Sequence, residues 1–169
     1  MPQVISVDGA NGVLRLPSRW YGIQPPLFVV GGPFRCCPDT MFGICLLEQF
    51  PITCSVQSSA WLPVLDWSAP AVPKAEVERV LLLALQKALD APVYVGCAGG
   101  WGRTGMFLAL MTKVWGIENP VAYVRQVYCS QAIDTTPQLK YVDDFDVRWV
   151  RRKLRALAWR RWFRRLFAG

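Results

Sequence analysis

A glycine-rich segment between an apolar strand and an apolar helix constrains this chain more than any other feature. The run Val93-Tyr94-Val95 is typical of a buried strand, and the residues from Arg103 to Val114 have the pattern of a buried helix. Glycines between them allow a turn tight enough for several amide N–H groups to point at one spot. We therefore predict a strand, a tight loop and a helix, which is a unit of an α/β fold.

This loop has the chemistry of an anion site that contains a nucleophile. The first N–H groups of a helix lack partners and carry the positive end of the helix dipole, so the loop favours a tetrahedral dianion. Arg103 can bind two oxygens of that anion through its planar guanidinium. The same positive surroundings favour the thiolate of Cys97, which we predict to be the nucleophile. The predicted phosphate-binding residues are Ala98, Gly99, Gly100, Trp101, Gly102 and Arg103.

The segment resembles the active-site loop of the cysteine-dependent protein tyrosine phosphatase superfamily, Cys-x5-Arg-Ser/Thr, in its common form ending Gly-x-Gly-Arg-Thr-Gly. The matching residues here run from Cys97 to Gly105, after a strand and before a helix. The chain departs from the family at Gly96, where the family usually has a His that helps to orient the loop. The resemblance extends over about residues 27–145 and implies a dual-specificity-like phosphatase.

The resemblance also implies a general acid on a mobile loop about thirty residues before the cysteine. Asp66 lies 31 residues before Cys97 and would protonate the leaving oxygen, then accept a proton from the hydrolytic water. Asp39 and Asp90 are weaker alternatives, because neither lies where a strand runs into a loop. A turn or helix-capping role for Asp66 stays open.

Two further residues match the family pattern. Thr104 follows the arginine, and its hydroxyl would stabilise the thiolate as it leaves in the second step. Gln138 resembles the glutamine that positions the hydrolytic water, although a glutamine in a first helical turn is also ordinary. Trp101 is expected at the pocket rim, where it either stacks on an aromatic substrate or packs against Trp67.

The expected activity is hydrolysis of phosphotyrosine, and of phosphoserine or phosphothreonine if the site is shallow, on a phosphorylated protein. The mechanism implied by the resemblance needs no cofactor, and a chain without His or Cys-x-x-Cys is not expected to hold a metal. The loop from Ala98 to Gly102 has no lysine, which argues against a multiply charged lipid headgroup. The alternatives are an RNA 5′-phosphatase or triphosphatase and a pseudophosphatase that only binds phosphate. An arsenate reductase or other thiol oxidoreductase is disfavoured, because no second cysteine lies near Cys97.

Strands alternating with helices predict an α/β fold with a mostly parallel central sheet flanked by helices. The expected strands cover residues 4–7, 13–16, 27–30, 52–56 and 92–96. The expected helices cover 39–49, 75–89 and 103–114. Further helices are expected to begin at Asn119-Pro120 and Thr136-Pro137, each with a capping residue followed by a first-turn proline. The apolar spacing from 137 to 158 predicts that this last helix is one long helix.

The net positive charge comes from the end of the chain. The net charge is +7, yet residues 148–169 hold nine Arg or Lys and no acid, while residues 1–147 hold ten basic and twelve acidic residues. We therefore predict a phosphatase domain at 1–147 and a basic, aromatic helical extension at 148–169. The apolar positions change faces near Ala158, so Trp159–Phe167 is expected to project, bend or meet another surface.

The extension suggests three kinds of contact. Arginines next to Trp and Phe in Arg148–Phe167 suit an anionic membrane surface. They also suit nucleic acid, through phosphate contacts and stacking. A solvated basic helix, with its aromatic residues on the protein's own surface or in a dimer, is the third alternative.

Length and composition predict one packed domain, since the chain has 169 residues of which 53% are hydrophobic. No apolar run approaches the roughly eighteen residues that a membrane span needs. The first residues lack the basic region and apolar stretch of a signal peptide. We expect a soluble cytoplasmic protein that is peripheral at a membrane if the extension binds one.

Overall fold

The computed structural model describes residues 5–18, 26–51 and 59–167. Its centre is a five-stranded sheet in the order β1-β2-β5-β3-β4, in which β1 and β2 are antiparallel and the other pairs are parallel. The strands are β1 (Gly12–Leu16), β2 (Leu27–Pro33), β3 (Phe42–Cys45), β4 (Ser59–Trp61) and β5 (Val93–Cys97). This architecture confirms the predicted α/β fold with a mostly parallel sheet.

Helices flank the sheet, and one of them is almost entirely buried. The helices are α1 (Lys74–Ala88), α2 (Gly102–Trp115), α3 (Pro120–Val127), α4 (Thr136–Asp144) and α5 (Arg148–Phe167), with one 3-10 turn at Phe34–Cys36. Helix α2 packs against β5 and, among the helices, mainly against α3 and α4. Its contacts with α1 and α5 are smaller. Because it is apolar nearly all round, it lies inside the core rather than on the surface.

The predicted loop follows the central strand of the sheet, β5, at that strand's carboxyl end. Strand β5 is buried along its whole length, between β2 and β3. Its residue Tyr94 packs in a small cluster with Val30 and Phe34, while Val93 and Val95 belong to the main core. Strand β5 therefore ends, and α2 begins, at the carboxyl edge of a parallel sheet, where such folds bind ligands.

Two predictions near the amino-terminal end of the chain are wrong. Residues 39–49 form no helix; they contain β3, which lies between β5 and β4 and is apolar because both its faces are covered. A short apolar run does not distinguish a buried strand from a helix. Residues 5–7 are not a strand, and residue 4 lies outside the described part. The strand expected at 52–56 also falls outside it.

The long helix expected over 137–158 is interrupted. Helix α4 ends at Asp144, and Phe145 has an extended backbone. Asp146 then accepts the backbone N–H of Arg148 at 2.9 Å and starts α5 as an N-terminal capping carboxylate. The cap of α4 is Thr135, one residue before the position expected, and Asn119 makes no side-chain cap at α3 although that helix begins where predicted.

Helix α5 lies against the domain and continues without interruption to Phe167. Its buried residues Val150, Leu154 and Ala158 face inward, and the helix packs mainly on α1. Within the described ranges, no helix is both long and apolar enough to cross a membrane.

Candidate active site

Cys97 ends β5 beneath the amino end of α2. Its side chain is buried, and its Sγ accepts the N–H of Gly100 at 3.2 Å. Gly100 has φ +83°, and a Cβ at this position would lie 2.4 Å from the carbonyl carbon of Gly32. Both the left-handed conformation and the close approach require glycine here. The glycine thus lets the loop turn one amide toward the sulfur.

Carbonyl groups of the loop are bonded from outside it. The carbonyl of Gly99 accepts from Asn11 Nδ2 at 2.9 Å, and that of Gly100 accepts from the Tyr128 hydroxyl at 2.5 Å. Arg35 donates to the carbonyl of Ala98 at 3.5 Å. Donors outside the loop thus hold three of its carbonyls, while the Gly100 amide points at the Cys97 sulfur. We identify these outer donors as positioning residues.

Tyr128 remains a hydrogen-bond donor because it is neutral. Burial, aided by the nearby Cys129 and Cys97, raises the pKa of Tyr128 well above that of an exposed tyrosine. Its hydroxyl therefore keeps its proton throughout the physiological pH range and holds the Gly100 carbonyl.

Arg103 joins the loop to the segment that carries the predicted acid. Its guanidinium is buried, and its Nη1 donates to the Val64 carbonyl at 3.0 Å. Its Nη2 lies 3.0 Å from Asp66 Oδ1. The predicted anion clamp and the predicted acid are thus in direct contact.

Asp66 lies on an exposed turn at the mouth of the site. Its side chain is 63% exposed, and its Oδ1 also accepts the N–H of Trp67 at 3.1 Å. Trp67 has φ +58°, a conformation that residues other than glycine seldom adopt. Such strained positions cluster at functional sites.

Gln138 and Thr104 are both buried near the loop, in different bonding states. Gln138 Oε1 accepts the N–H of Asp134 at 3.1 Å, and its Nε2 donates to the Ser68 carbonyl at 3.3 Å. It therefore connects α4 to the Asp66 turn. The Thr104 hydroxyl is fully buried and has no hydrogen-bond partner among the described residues, and Thr104 does not line the pocket described next.

One pocket of about 200 Å³ brings most of the predicted residues together. Its lining consists of Asp66, Trp67, Cys97, Ala98, Gly99, Trp101, Gly102, Arg103, Asp134 and Gln138. Trp101 and Trp67 are 45% and 68% exposed at its rim, and no ring contact joins them in the described part of the chain. Gly100 forms the loop but does not line the pocket.

Asp134 is a pocket residue that the sequence analysis missed. A Cβ on Gly102 would lie 2.5 Å from Asp134 Oδ2, which places the carboxylate against the first residue of α2. Burial raises the pKa of Asp134, with a smaller contribution in the same direction from Asp66, while Arg125 opposes the shift. Its position just before Thr135 and the first turn of α4 was the available signal.

Gly96 has a steric explanation. A Cβ at this position would lie 2.6 Å from Cα and 2.8 Å from N of Phe34. Because both neighbouring atoms belong to the backbone, neither can move aside as a side chain would. The glycine is therefore required by the close approach of the 3-10 turn after β2.

Comparisons by sequence find relatives without an assigned activity. The uncharacterized protein MJ0215 of Methanocaldococcus jannaschii is 31% identical over 133 residues, which cover 74% of this chain and 82% of that protein. The uncharacterized protein MJECL20 of the same organism is 31% identical over 101 residues, 60% of this chain and 66% of that protein.

Comparisons by structure find phosphatases at low sequence identity. The crystal structure of Tk-PTP in the active form superposes with a TM-score of 0.62 at 16% identity, covering 83% of this chain and 98% of that chain. DUSP15 gives a TM-score of 0.62 at 13% identity, covering 86% and 96%. These likenesses establish the fold.

The family itself is shown by a sequence model. The model described as "Swiss Army Knife protein, DSP-PTPase phosphatase domain" matches residues 48–153, more than half of the chain, and this span includes the loop, Asp66 and Gln138. The chain therefore belongs to the PTP-SAK family, within the cysteine-dependent, dual-specificity-like protein tyrosine phosphatases.

Proposed function

We propose that the protein hydrolyses single phosphate monoesters, phosphotyrosine above all, through a cysteinyl-phosphate intermediate. The observation that carries this proposal is the pairing of a buried Cys97 Sγ with a loop amide at 3.2 Å in a pocket also lined by Arg103. A thiolate held beneath converging amides and a guanidinium is matched to a phosphoryl group.

In the first step, the Cys97 thiolate attacks phosphorus, and a P–S bond forms as the P–O bond to the leaving group breaks. Asp66 gives its proton to the departing oxygen, so a neutral alcohol or phenol leaves. In the second step Asp66 accepts a proton from water, and the resulting oxygen attacks phosphorus. Inorganic phosphate then leaves and Cys97 returns to its thiolate.

Arg103 would exchange partners when the phosphate binds. Its Nη2 lies against Asp66 and its Nη1 against the Val64 carbonyl. Two equatorial phosphate oxygens offer the same fork geometry with a full double charge. Moving the guanidinium onto the phosphate releases Asp66 toward the leaving oxygen, which couples substrate binding to placement of the acid.

The roles of Thr104 and Gln138 follow from their surroundings. The Thr104 hydroxyl is buried and has no hydrogen-bond partner in the described part of the chain, so it is available to donate to the thiolate as the P–S bond breaks. Both ends of the Gln138 amide bond to backbone groups. Its Oε1 accepts from Asp134, just before α4, and its Nε2 donates to Ser68, next to Asp66. We therefore propose that Gln138 fixes the geometry of the pocket wall, and that positioning of water requires its Nε2 to leave Ser68.

The pocket favours a flat substrate with one phosphate. The described residues that line it include one cation, Arg103, and two carboxylates, Asp66 and Asp134. A polyphosphate or a multiply phosphorylated headgroup would place further charge near these carboxylates. The exposed indoles of Trp67 and Trp101 provide flanking surfaces for an aromatic ring.

A pseudophosphatase is less consistent with the site. The departure from the family pattern at Gly96 would favour a pseudophosphatase, but the close approach of the Phe34 backbone accounts for that glycine without loss of Cys97. The charged and nucleophilic groups that turnover needs line a common pocket.

The test is hydrolysis of para-nitrophenyl phosphate in EDTA, at pH 5 to 8, by the wild type, Cys97→Ser and Cys36→Ser. We expect turnover in the wild type and in the Cys36→Ser control, none in Cys97→Ser, and retained binding of inorganic phosphate in all three. Vanadate binding without turnover in the wild type would contradict the proposal and favour a phosphate-binding module.

A further inference from the structure

Helix α5 presents apolar residues on two opposite faces. Its inner face, with Val150, Leu154 and Ala158, is buried against the domain. Its outer face carries aromatic side chains at intervals of four residues: Trp159, Phe163 and Phe167 are 40%, 48% and 82% exposed. A helix that only covered its own domain would be polar on that side. The outer face thus has the character of a contact surface.

The outer aromatic residues form one continuous cluster. The ring centroids of Trp159 and Trp162 lie 5.5 Å apart, and those of Trp162 and Phe163 lie 5.0 Å apart, both edge to face. Trp159 and Phe163 are 6.0 Å apart. Rings that pack edge to face on each other form a joint apolar patch, whereas single-stranded nucleic acid needs separate ring faces on which bases stack.

Most of the positive charge that flanks this patch has no carboxylate partner among the described residues. Arg148 pairs with Asp146, and Arg161 pairs with Asp90. Several other exposed cations of α5 make no ion pair with a described carboxylate: Arg152, Lys153, Arg155, Arg160 and Arg164.

An open cleft beside the aromatic patch concentrates this charge. It has a volume of about 450 Å³ and is lined by Arg148, Arg151, Arg152, Arg155 and Trp159. Four guanidiniums and one indole are suited to lipid phosphate groups at the level where tryptophan lies in a bilayer.

Two polar contacts that help to hold α5 lie at the end of the domain opposite the catalytic pocket. Arg151 donates to the carbonyls of Lys113 and Val114 at the carboxyl end of α2. The pocket lies at the amino end of the same helix, where Gly102 and Arg103 line it. At about 1.5 Å per residue, the two ends are about 17 Å apart along the helix axis. Asp90, the partner of Arg161, likewise precedes the start of β5, whereas Cys97 ends that strand.

We propose that the outer face of α5 is an in-plane anchor for a bilayer rich in anionic lipid. The aromatic cluster enters the interface, and the flanking cations lie on lipid phosphates. Because the pocket is at the other end of α2, the lipid is the anchor and not the substrate. The bound enzyme keeps its pocket open to phosphorylated molecules away from the bilayer.

The test is sedimentation of the full chain with phosphatidylcholine vesicles containing 30 mol% phosphatidylserine, on the order of the charge density of an anionic membrane surface. We expect binding that weakens with salt and is lost with pure phosphatidylcholine. Replacing Arg152, Arg155, Arg160 and Arg164 by Gln should lower the partition coefficient about fivefold per cation, or about 600-fold together. The matched Arg→Lys variant keeps the charge and should bind within about threefold of the wild type.

Two further variants separate the aromatic patch and the pocket. Phe163→Ala with Phe167→Ala should lower binding by at least about tenfold, while the matched Phe→Leu pair retains most of it. Arg103→Lys should bind vesicles like the wild type, because the headgroup does not enter the catalytic pocket. Thermal unfolding serves as the folding control for every variant, so this test stands even if the proposed phosphatase activity is absent.

Three outcomes would overturn the inference. One is binding to a 20-nucleotide single-stranded RNA with no sedimentation with anionic vesicles, which would assign the surface to nucleic acid. Another is the absence of binding to both. The third is loss of vesicle binding in Arg103→Lys, which would place the headgroup in the pocket.

Discussion

The loop that holds Cys97 and the turn that holds Asp66 face each other across the pocket, yet they are held in different ways. The Cys97 loop is bonded by Asn11 and Tyr128, which take no part in the proposed chemistry. The Asp66 turn is bonded largely by residues of the site itself, Arg103 and Gln138. The proposed nucleophile is thus held by the scaffold, whereas the proposed acid is held by Arg103 and Gln138, which line the pocket themselves.

The difference matches the two chemical tasks. In-line attack requires a fixed sulfur beneath the phosphorus, since small displacements of a nucleophile are costly. The acid has to act at two different moments, on the leaving oxygen and then on water. A turn that is released when Arg103 moves onto a phosphate can serve both, so the contrast can be tested by disturbing each side separately.

Arg103→Lys should have the largest effect, because Arg103 is part of the Cys97 loop and also contacts the Asp66 turn. A lysine retains the charge but loses the fork that binds two phosphate oxygens and also reaches the Val64 carbonyl. With two charge-assisted hydrogen bonds at stake, kcat/KM for para-nitrophenyl phosphate should fall by about 10²–10⁴-fold. Arg79→Lys, at an exposed ion pair on α1, is the control. A loss of less than tenfold would contradict the proposed clamp.

Asp66→Asn should affect only the Asp66 turn. Loss of the proton donor should slow formation of the intermediate by about 10²–10⁴-fold with phosphotyrosine, whose leaving phenol needs the proton. The effect should be smaller with para-nitrophenyl phosphate, because its leaving group is less basic. Single-turnover kinetics on the two substrates measure this difference, with Asp39→Asn as the control. Equal losses on both substrates would indicate misplacement of Arg103 rather than loss of an acid.

The sequence predicts the Cys97 loop itself but not the residues that hold it in place. The cysteine loop is local in the chain, so its strand, glycines, arginine and helix can be identified from one segment. Its outer donors are distant: Asn11 and the Gly99 carbonyl are 88 residues apart, and Arg35 and the Ala98 carbonyl are 63 apart. Nothing near either residue marks such a contact, because the pairing of β1, β2 and β5 creates it.

Elsewhere, the sequence fails where two structures share one pattern. The apolar residues of β3 are compatible with a helix until two neighbouring strands are known to cover them. The periodicity on either side of Asp146 is continuous, yet its carboxylate caps α5 and separates it from α4. Asp134 precedes a helix cap, a common position for aspartate, and only the fold brings its carboxylate against Gly102.

Tyr128→Phe should affect only the Cys97 loop. It removes the hydroxyl that holds the Gly100 carbonyl and leaves the ring in place. A neutral hydrogen bond contributes about 1 kcal/mol, so kcat/KM should fall about five- to tenfold. Vanadate affinity should fall in parallel, because the loop amides lose their alignment. Tyr123→Phe removes a comparable bond, to the Arg15 carbonyl, far from the loop. An equal effect of the two substitutions would indicate a general loss of stability.

Asp134→Asn should have the smallest effect, on stability and its pH dependence. Burial raises the pKa of this carboxyl in the folded protein, so the unfolded chain releases the proton at lower pH. The charged carboxylate therefore costs stability above its unfolded pKa, and the cost disappears in acid, where both states hold the proton. The variant should unfold at a higher temperature than the wild type at pH 7 and at the same temperature near pH 3.

The expected gain is well below the about 1.4 kcal/mol that a full pKa unit represents, because the residue is exposed and solvent screens its charge. Asp8→Asn, at an exposed carboxyl before β1, is the control and should not reproduce the pH-dependent gain. A lower unfolding temperature for Asp134→Asn at pH 7 would mean that attraction to Arg125 outweighs burial. In that case Asp134 would act as an anchor of the pocket wall, and the acid turn would face a fixed wall instead of a repelling carboxylate.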